Sequence, residues 1–108
     1  SLNAEIKFAT LAAHLWYLEN KTPLQGQATG PLLGVSNGTA YYLLYNGILG
    51  DRRPAGGNVL TSKLLDELPE ITSHENIVIY GESCRLGAAR LEKAKITFKQ
   101  IPYDVGML

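Results

Sequence analysis

The stretch that decides the fold occupies residues 31–45 and reads PLLGVSNGTAYYLLY. Two apolar and aromatic runs, residues 32–35 and 39–45, flank the pair Asn37-Gly38. This pair favours the left-handed backbone angles of a tight hairpin turn, whose twist matches that of the strands on either side. The second run is apolar or aromatic on both of its faces, which is typical of a strand inside a covered sheet. The sequence therefore predicts a β-hairpin whose second strand is interior.

Helical patterns lie on both sides of this hairpin. Residues 3–19 carry a stripe of apolar side chains at positions 8, 11, 12, 15 and 18, with Asn3 as the N-cap. Trp16 and Tyr17 widen the stripe, so we expect this helix to have two covered faces. A second, short helix is predicted after the hairpin, capped by Thr61 or Ser62 and ended by Pro69.

The last third of the chain has the pattern of a strand, a helix and a strand. Residues 77–80 form an apolar run, residues 81–84 a turn, residues 85–95 a helix and residues 96–101 the final strand. Gly87 to Ala89 are small, which predicts close packing of that helix on the sheet. A crossover of this length implies parallel strands. The predicted fold class is α/β: a small mixed sheet built from an N-terminal helix, a β-hairpin, a helix and a β-α-β unit, with helices packed on it.

Length and composition predict one globular domain. The 108 residues are 45% apolar and 19% charged, and no apolar run is long enough to cross a membrane. The single cysteine, Cys84, excludes an internal disulfide and indicates a reducing compartment such as the cytoplasm. His14, His74 and Cys84 lack metal-ligand spacing, so no metal site is predicted.

The charges divide unevenly, although ten basic and ten acidic residues leave no net charge. Residues 1–75 carry five Lys/Arg and seven Asp/Glu, whereas residues 76–108 carry five and three. Guanidinium groups match phosphate oxygens, and a basic helix surface attracts a polyanion. We therefore predict that any nucleic-acid contact uses Arg52, Arg53, Arg85, Arg90 and Lys93. The alternative for Arg52 and Arg53 is an ordinary solvated loop.

The predicted turn at residues 81–85 is a second candidate, because ligands of α/β proteins often bind where a strand leads into a helix. Free N–H groups there, with Gly81, Ser83 and Arg85, could hold an anion; the alternative is a simple helix cap. An enzyme would use Glu82 as base and Ser83 or Cys84 as nucleophile. The alternative for Cys84 is a small buried thiol.

Several blocks of the sequence resemble the C-terminal region of bacterial adenine-specific DNA methyltransferases of restriction–modification systems, in the N-4/N-6 DNA methylase family. The resemblance covers nearly the whole chain from about residue 6, and its main blocks are residues 30–35, 38–47, 84–91 and 96–105. The family's Gly-rich cofactor motif and its Asp/Asn-Pro-Pro-Tyr/Phe motif do not occur here, and all five prolines are isolated.

The resemblance implies a non-catalytic accessory module, residues 1–108, of a larger cytoplasmic enzyme. No catalytic residue is carried over, and no cofactor is expected in this fragment; S-adenosylmethionine is implied for the parent protein. The expected partners are DNA through the parent, the missing upstream methyltransferase domain and a restriction subunit, with no membrane. A further alternative is a pure protein-interaction module, in which the first helix packs a face containing Trp16 or Tyr17 on the parent.

Overall fold

The first helix, α1, spans Leu2–Asn20 in the computed structural model, which describes residues 2–45 and 58–101. Phe8, Leu11, Ala12 and Leu15 are buried on one side of it, as their spacing predicts. After Asn20, Lys21 takes a left-handed backbone angle (φ 59°), and its N–H donates to the Tyr17 carbonyl at 2.8 Å. The predicted first helix is confirmed, but it begins at Leu2, so Asn3 lies inside the helix and is not its N-cap. Leu18, the last residue of the predicted stripe, is 43% exposed.

The hairpin forms where the sequence predicts it. Strand β1 covers Leu32–Ser36 and β2 covers Thr39–Leu43, and the two pair antiparallel. Asn37 and Gly38 join them with φ angles of 51° and 79°, the left-handed pair that a tight hairpin turn requires. A bulge interrupts the register between Leu32 and Gly34.

The remaining elements complete a mixed α/β fold, which has three helices within the described residues, as predicted. They are β3 (Val59–Leu60), α2 (Ser62–Glu67), β4 (Asn76–Gly81), β5 (Ser83–Cys84), α3 (Ala88–Lys93) and β6 (Ile96–Gln100). The main sheet has the order β1-β2-β4-β6, in which β2, β4 and β6 are parallel. The short strands β3 and β5 form a separate parallel pair.

A separate hydrophobic core packs against each face of the main sheet, because successive side chains of a strand point to opposite faces. One core lies under α2 and α3; it joins Tyr42, Ile77 and Ile79 to Leu65 and Leu68. The other lies under α1 and contains Leu43 and Tyr80. The Tyr42 hydroxyl donates to the Pro69 carbonyl at 2.6 Å, and burial, assisted by the charge of Glu70, raises the pKa of Tyr42 to about 12.

The third helix differs from its prediction. It begins at Ala88, not at residue 85, because Ser83 and Cys84 pair with Val59 and Leu60 as a strand. Gly87, Ala88 and Ala89 are exposed, so their small size does not serve close packing; Leu91 and Ala94 face the core instead.

Candidate nucleic-acid interface

The α3 region presents three of the predicted phosphate-binding cations at the surface. Arg85 follows β5 and is held by its backbone N–H, which donates to the Leu60 carbonyl at 2.9 Å. Arg90 and Lys93 lie three residues apart on α3, a spacing that places side chains on one helix face. All three side chains are exposed, and the Arg90 guanidinium donates to the Ser62 hydroxyl at 3.2 Å. Arg52 and Arg53 lie outside the described residues.

None of these three cations is in an ion pair within residues 2–45 and 58–101. For Arg90 and Lys93, the nearest carboxylate in sequence is Glu92, which is exposed on the same helix. For Arg85 it is Glu82, which is hydrogen-bonded to Asn58. Lys95, which follows α3, is a further exposed cation of this part of the chain. Lys99, in contrast, lies on the opposite face of the sheet. Its amino group pairs with Glu19 of α1 at 2.7 Å. The basic surface therefore consists of the α3 region alone.

A cleft of about 460 Å³ opens beside Arg90 and Lys93, between α2 and α3; we call it the α2–α3 cleft. It lies where β4 and β6 begin, since Ile77 and Ile96 are part of its lining. Lys95, which follows α3 in a left-handed conformation (φ 58°), adds a third cation. Sequence reasoning missed this cleft, because it depends on how two helices far apart in sequence are placed on one sheet.

The predicted anion-binding turn has a different geometry from the one expected. Gly81 ends β4, Ser83 lies in β5, and no helix begins at residue 85. Two of its N–H groups are already used, because Glu82 donates to Asn58 at 2.8 Å and Arg85 donates to Leu60. The turn therefore does not place free N–H groups of a helix start around an anion. Anion binding by Gly81, Ser83 and Arg85 stays a prediction that this geometry does not support.

The polar groups at this end of the sheet contact one another. The Asn58 amide donates to the Glu82 carboxylate at 2.6 Å, and the Gln100 amide donates to the Glu82 carbonyl at 3.1 Å. Gly81 allows this close approach, because a Cβ there would lie 3.1 Å from the Asn58 carbonyl oxygen. Glu82 is thus tied to Asn58, which does not favour the role of a general base.

Cys84 has no base beside it within the described residues. Its thiol lies 3.7 Å from the Leu86 carbonyl, and its side chain packs against the core under α2 and α3. His74 is hydrogen-bonded to Glu70 at 3.0 Å, and His14 is exposed on α1. These contacts favour the interpretation of a packed thiol over that of a nucleophile.

The described part of the chain also contains no group of three or more metal-ligating side chains. No helix in it is long and apolar enough to span a bilayer. In comparisons with known proteins, the chain matches no family model, no curated protein and no solved structure.

Proposed function

We propose that this chain is a non-catalytic C-terminal module of an adenine-specific DNA-modification methyltransferase that helps to hold the duplex through phosphate contacts. One observation carries the proposal: Arg85, Arg90 and Lys93 form an exposed basic surface without ion pairs among the described residues. The parent class rests on the sequence resemblance of residues 30–35, 38–47, 84–91 and 96–105. The parent, and not this module, binds S-adenosylmethionine.

The contacts of this surface are to phosphates rather than to bases. The α3 helix has only six residues, and two of its exposed positions are alanines, so it lacks the run of base-reading side chains that a recognition helix places in the major groove. With no net charge on the chain, its own affinity for DNA is weak, tolerant of sequence and steeply dependent on salt.

The test is the affinity of the chain for a fluorescein-labelled duplex, measured by anisotropy over a series of salt concentrations. Replacing Arg90 and Lys93 together by alanine should weaken binding and reduce the logarithmic salt slope by about 0.9 for each phosphate that the variant no longer neutralises. The matched control replaces Lys7 and Lys63, which are exposed on α1 and α2, and changes the net charge equally. Equal losses of DNA affinity in both variants, or no loss in either, would contradict the proposal that the α3 surface binds the duplex.

Two further measurements address the rest of the proposal. Calorimetry of the chain with S-adenosylmethionine should give no more heat than buffer, and micromolar binding would contradict a non-catalytic module. In the full-length parent, replacing Arg52 and Arg53 together by alanine should lower affinity uniformly across DNA sequences and make the salt slope shallower. Unchanged affinity and slope would assign that pair to a solvated loop.

A protein-interaction module is the second candidate function, and the outward side of α1 favours it. Ile6 and Tyr17 are 52% and 53% exposed, although both are large apolar or aromatic side chains. They are eleven positions apart, about three helical turns, so they share one helix face. Replacing both by serine should leave the chain folded but weaken its association with the parent's upstream domain in a pull-down of the separated parts.

A further inference from the structure

The α2–α3 cleft has an apolar floor and charged sides. The floor is formed by the aliphatic residues of its lining, Leu65, Ile71, Ile77, Ala94 and Ile96, and Thr72 and His74 also line the cleft. A floor of this kind, in a cleft of about 460 Å³, accommodates an apolar side chain of a ligand. Among the described residues no Phe, Tyr or Trp lines the cleft, so this part of the chain offers no aromatic platform there on which a nucleic-acid base would stack.

The charges on the two sides of the cleft have opposite sign. Arg90, Lys93 and Lys95 line the side formed by α3, whereas Asp66 and Glu75 line the side formed by α2 and the segment before β4. All five are exposed, and none is in an ion pair within the described residues. The α3 side therefore attracts carboxylates, and the α2 side repels them.

This arrangement suits a peptide better than a nucleic acid. A phosphate backbone crossing the cleft would meet Asp66 and Glu75, whereas a peptide can place carboxylates along α3 alone. We infer that the α2–α3 cleft docks a short segment of a partner protein in which an aliphatic side chain stands beside acidic residues. The aliphatic side chain packs on the floor, and the acidic residues pair with the three cations.

This binding goes beyond the proposed DNA contact, and it uses two of the same side chains. Arg90 and Lys93 cannot pair with peptide carboxylates and duplex phosphates at once, so the acidic segment and DNA should compete for the chain. The peptide titration that tests this inference contains no DNA, so its outcome does not depend on whether the chain binds a duplex.

The experiment follows the backbone amides of the chain by NMR during titration with the capped tripeptide Ac-Glu-Glu-Leu-NH2, up to about 10 mM. Amides of Ile71, Ile77, Ala94 and Ile96 should shift and saturate. The peptide Ac-Lys-Lys-Leu-NH2 should bind severalfold more weakly, because its lysines are repelled by three cations of the cleft and attracted by only two carboxylates. Ac-Glu-Glu-Gly-NH2, which lacks the apolar side chain, should also bind more weakly.

Charge reversal identifies the site. The variant carrying Lys93→Glu and Lys95→Glu should lose the preference for the acidic peptide, whereas Arg85→Glu, which alters a cation outside the cleft, should keep it. Equal shifts with acidic and basic peptides, or no shift at these four amides, would overturn the inference without any variant. Shifts of the same amides on raising the protein concentration alone would assign the cleft to a second copy of the chain and overturn it as well.

Discussion

Gly34 shows how one residue determines the packing of α1 on the sheet. A Cβ at this position would lie 3.0 Å from two ring carbons of Trp16. Trp16 also packs against Tyr41. The two rings meet edge-on, with 5.3 Å between their centroids. The indole ring therefore rests on bare backbone of β1, and a Cβ at Gly34 would require the ring to shift by a few tenths of an ångström.

We expect Gly34→Ala to lower the free energy of unfolding by about 1–2 kcal/mol, because the new methyl group must displace the indole ring. Urea unfolding followed by tryptophan fluorescence measures the change directly. The control is Gly30→Ala, where a Cβ would have no neighbour within 4 Å. If both variants unfold at the same urea concentration, Trp16 does not depend on the absence of a side chain at Gly34.

The α2 helix depends on its N-cap, because a helix of six residues is too short to form without other support. The Thr61 hydroxyl accepts a hydrogen bond from the Leu64 N–H at 3.1 Å. We expect Thr61→Ala to cost about 1 kcal/mol of stability, and Thr61→Ser, which keeps the hydroxyl, to cost much less. Thermal unfolding by circular dichroism distinguishes the two; equal losses would mean that the hydroxyl does not act as a cap.

The elements that depend on local chemistry could be predicted from sequence. The hairpin is specified by Asn37 and Gly38, and α2 by the hydroxyl of Thr61, each within a few residues of the element it starts. The start of α3 could not be predicted in this way. Cys84 pairs with Leu60, 24 residues earlier, and this pairing holds as a strand a segment that otherwise has the pattern of a helix start.

The candidate site was predictable only in part, for the same reason. Arg85, Arg90 and Lys93 are exposed near α3 as expected from its charge pattern. The pattern also includes Lys99 in that basic stretch, yet Lys99 pairs with Glu19, 80 residues away, on the other face of the sheet. The sequence did not predict that Asp66 and Glu75 belong to the same site as the cations of α3. These carboxylates come to line the α2–α3 cleft only because the sheet brings α2 and α3 together.

At the scale of the whole molecule, Glu19 joins α1 to two strands of the sheet. Its carboxylate accepts hydrogen bonds from the Tyr80 hydroxyl and the Lys99 amino group, both at 2.7 Å, and its side chain is 14% exposed. Burial opposes the charged form, but these bonds and the charge of Lys99 outweigh burial and lower the pKa of Glu19. Burial and the bond to Glu19 raise the pKa of Tyr80.

A lowered carboxyl pKa makes stability depend on pH in one direction. The contribution of the Glu19 charge to folding stability is fully present above the ordinary glutamate pKa of 4.5. It is lost as the pH falls through the lower pKa that Glu19 has in the folded state. We expect Glu19→Gln to reduce the free energy of unfolding by about 1–2 kcal/mol at pH 7, after allowance for the partial exposure of Lys99. That difference from the unaltered chain should shrink by pH 3.

Urea unfolding at both pH values tests this prediction, with Glu67→Gln as the control because Glu67 is an exposed carboxylate on α2. The control should differ little from the unaltered chain at either pH. A stability gap for Glu19→Gln that is as large at pH 3 as at pH 7 would show that the charge of Glu19 is not what joins α1 to the sheet.

The strand order β1-β2-β4-β6 has a consequence for the sequence of events in folding. The β1–β2 hairpin closes over two residues, whereas β2 reaches β4 only across 32 intervening residues, and β4 reaches β6 across 14. Closing longer loops costs more chain entropy before contacts form, so the hairpin should nucleate the sheet and the parallel strands should join it later. During refolding, the amides of β1 and β2 should then acquire protection from hydrogen–deuterium exchange before those of β4 and β6.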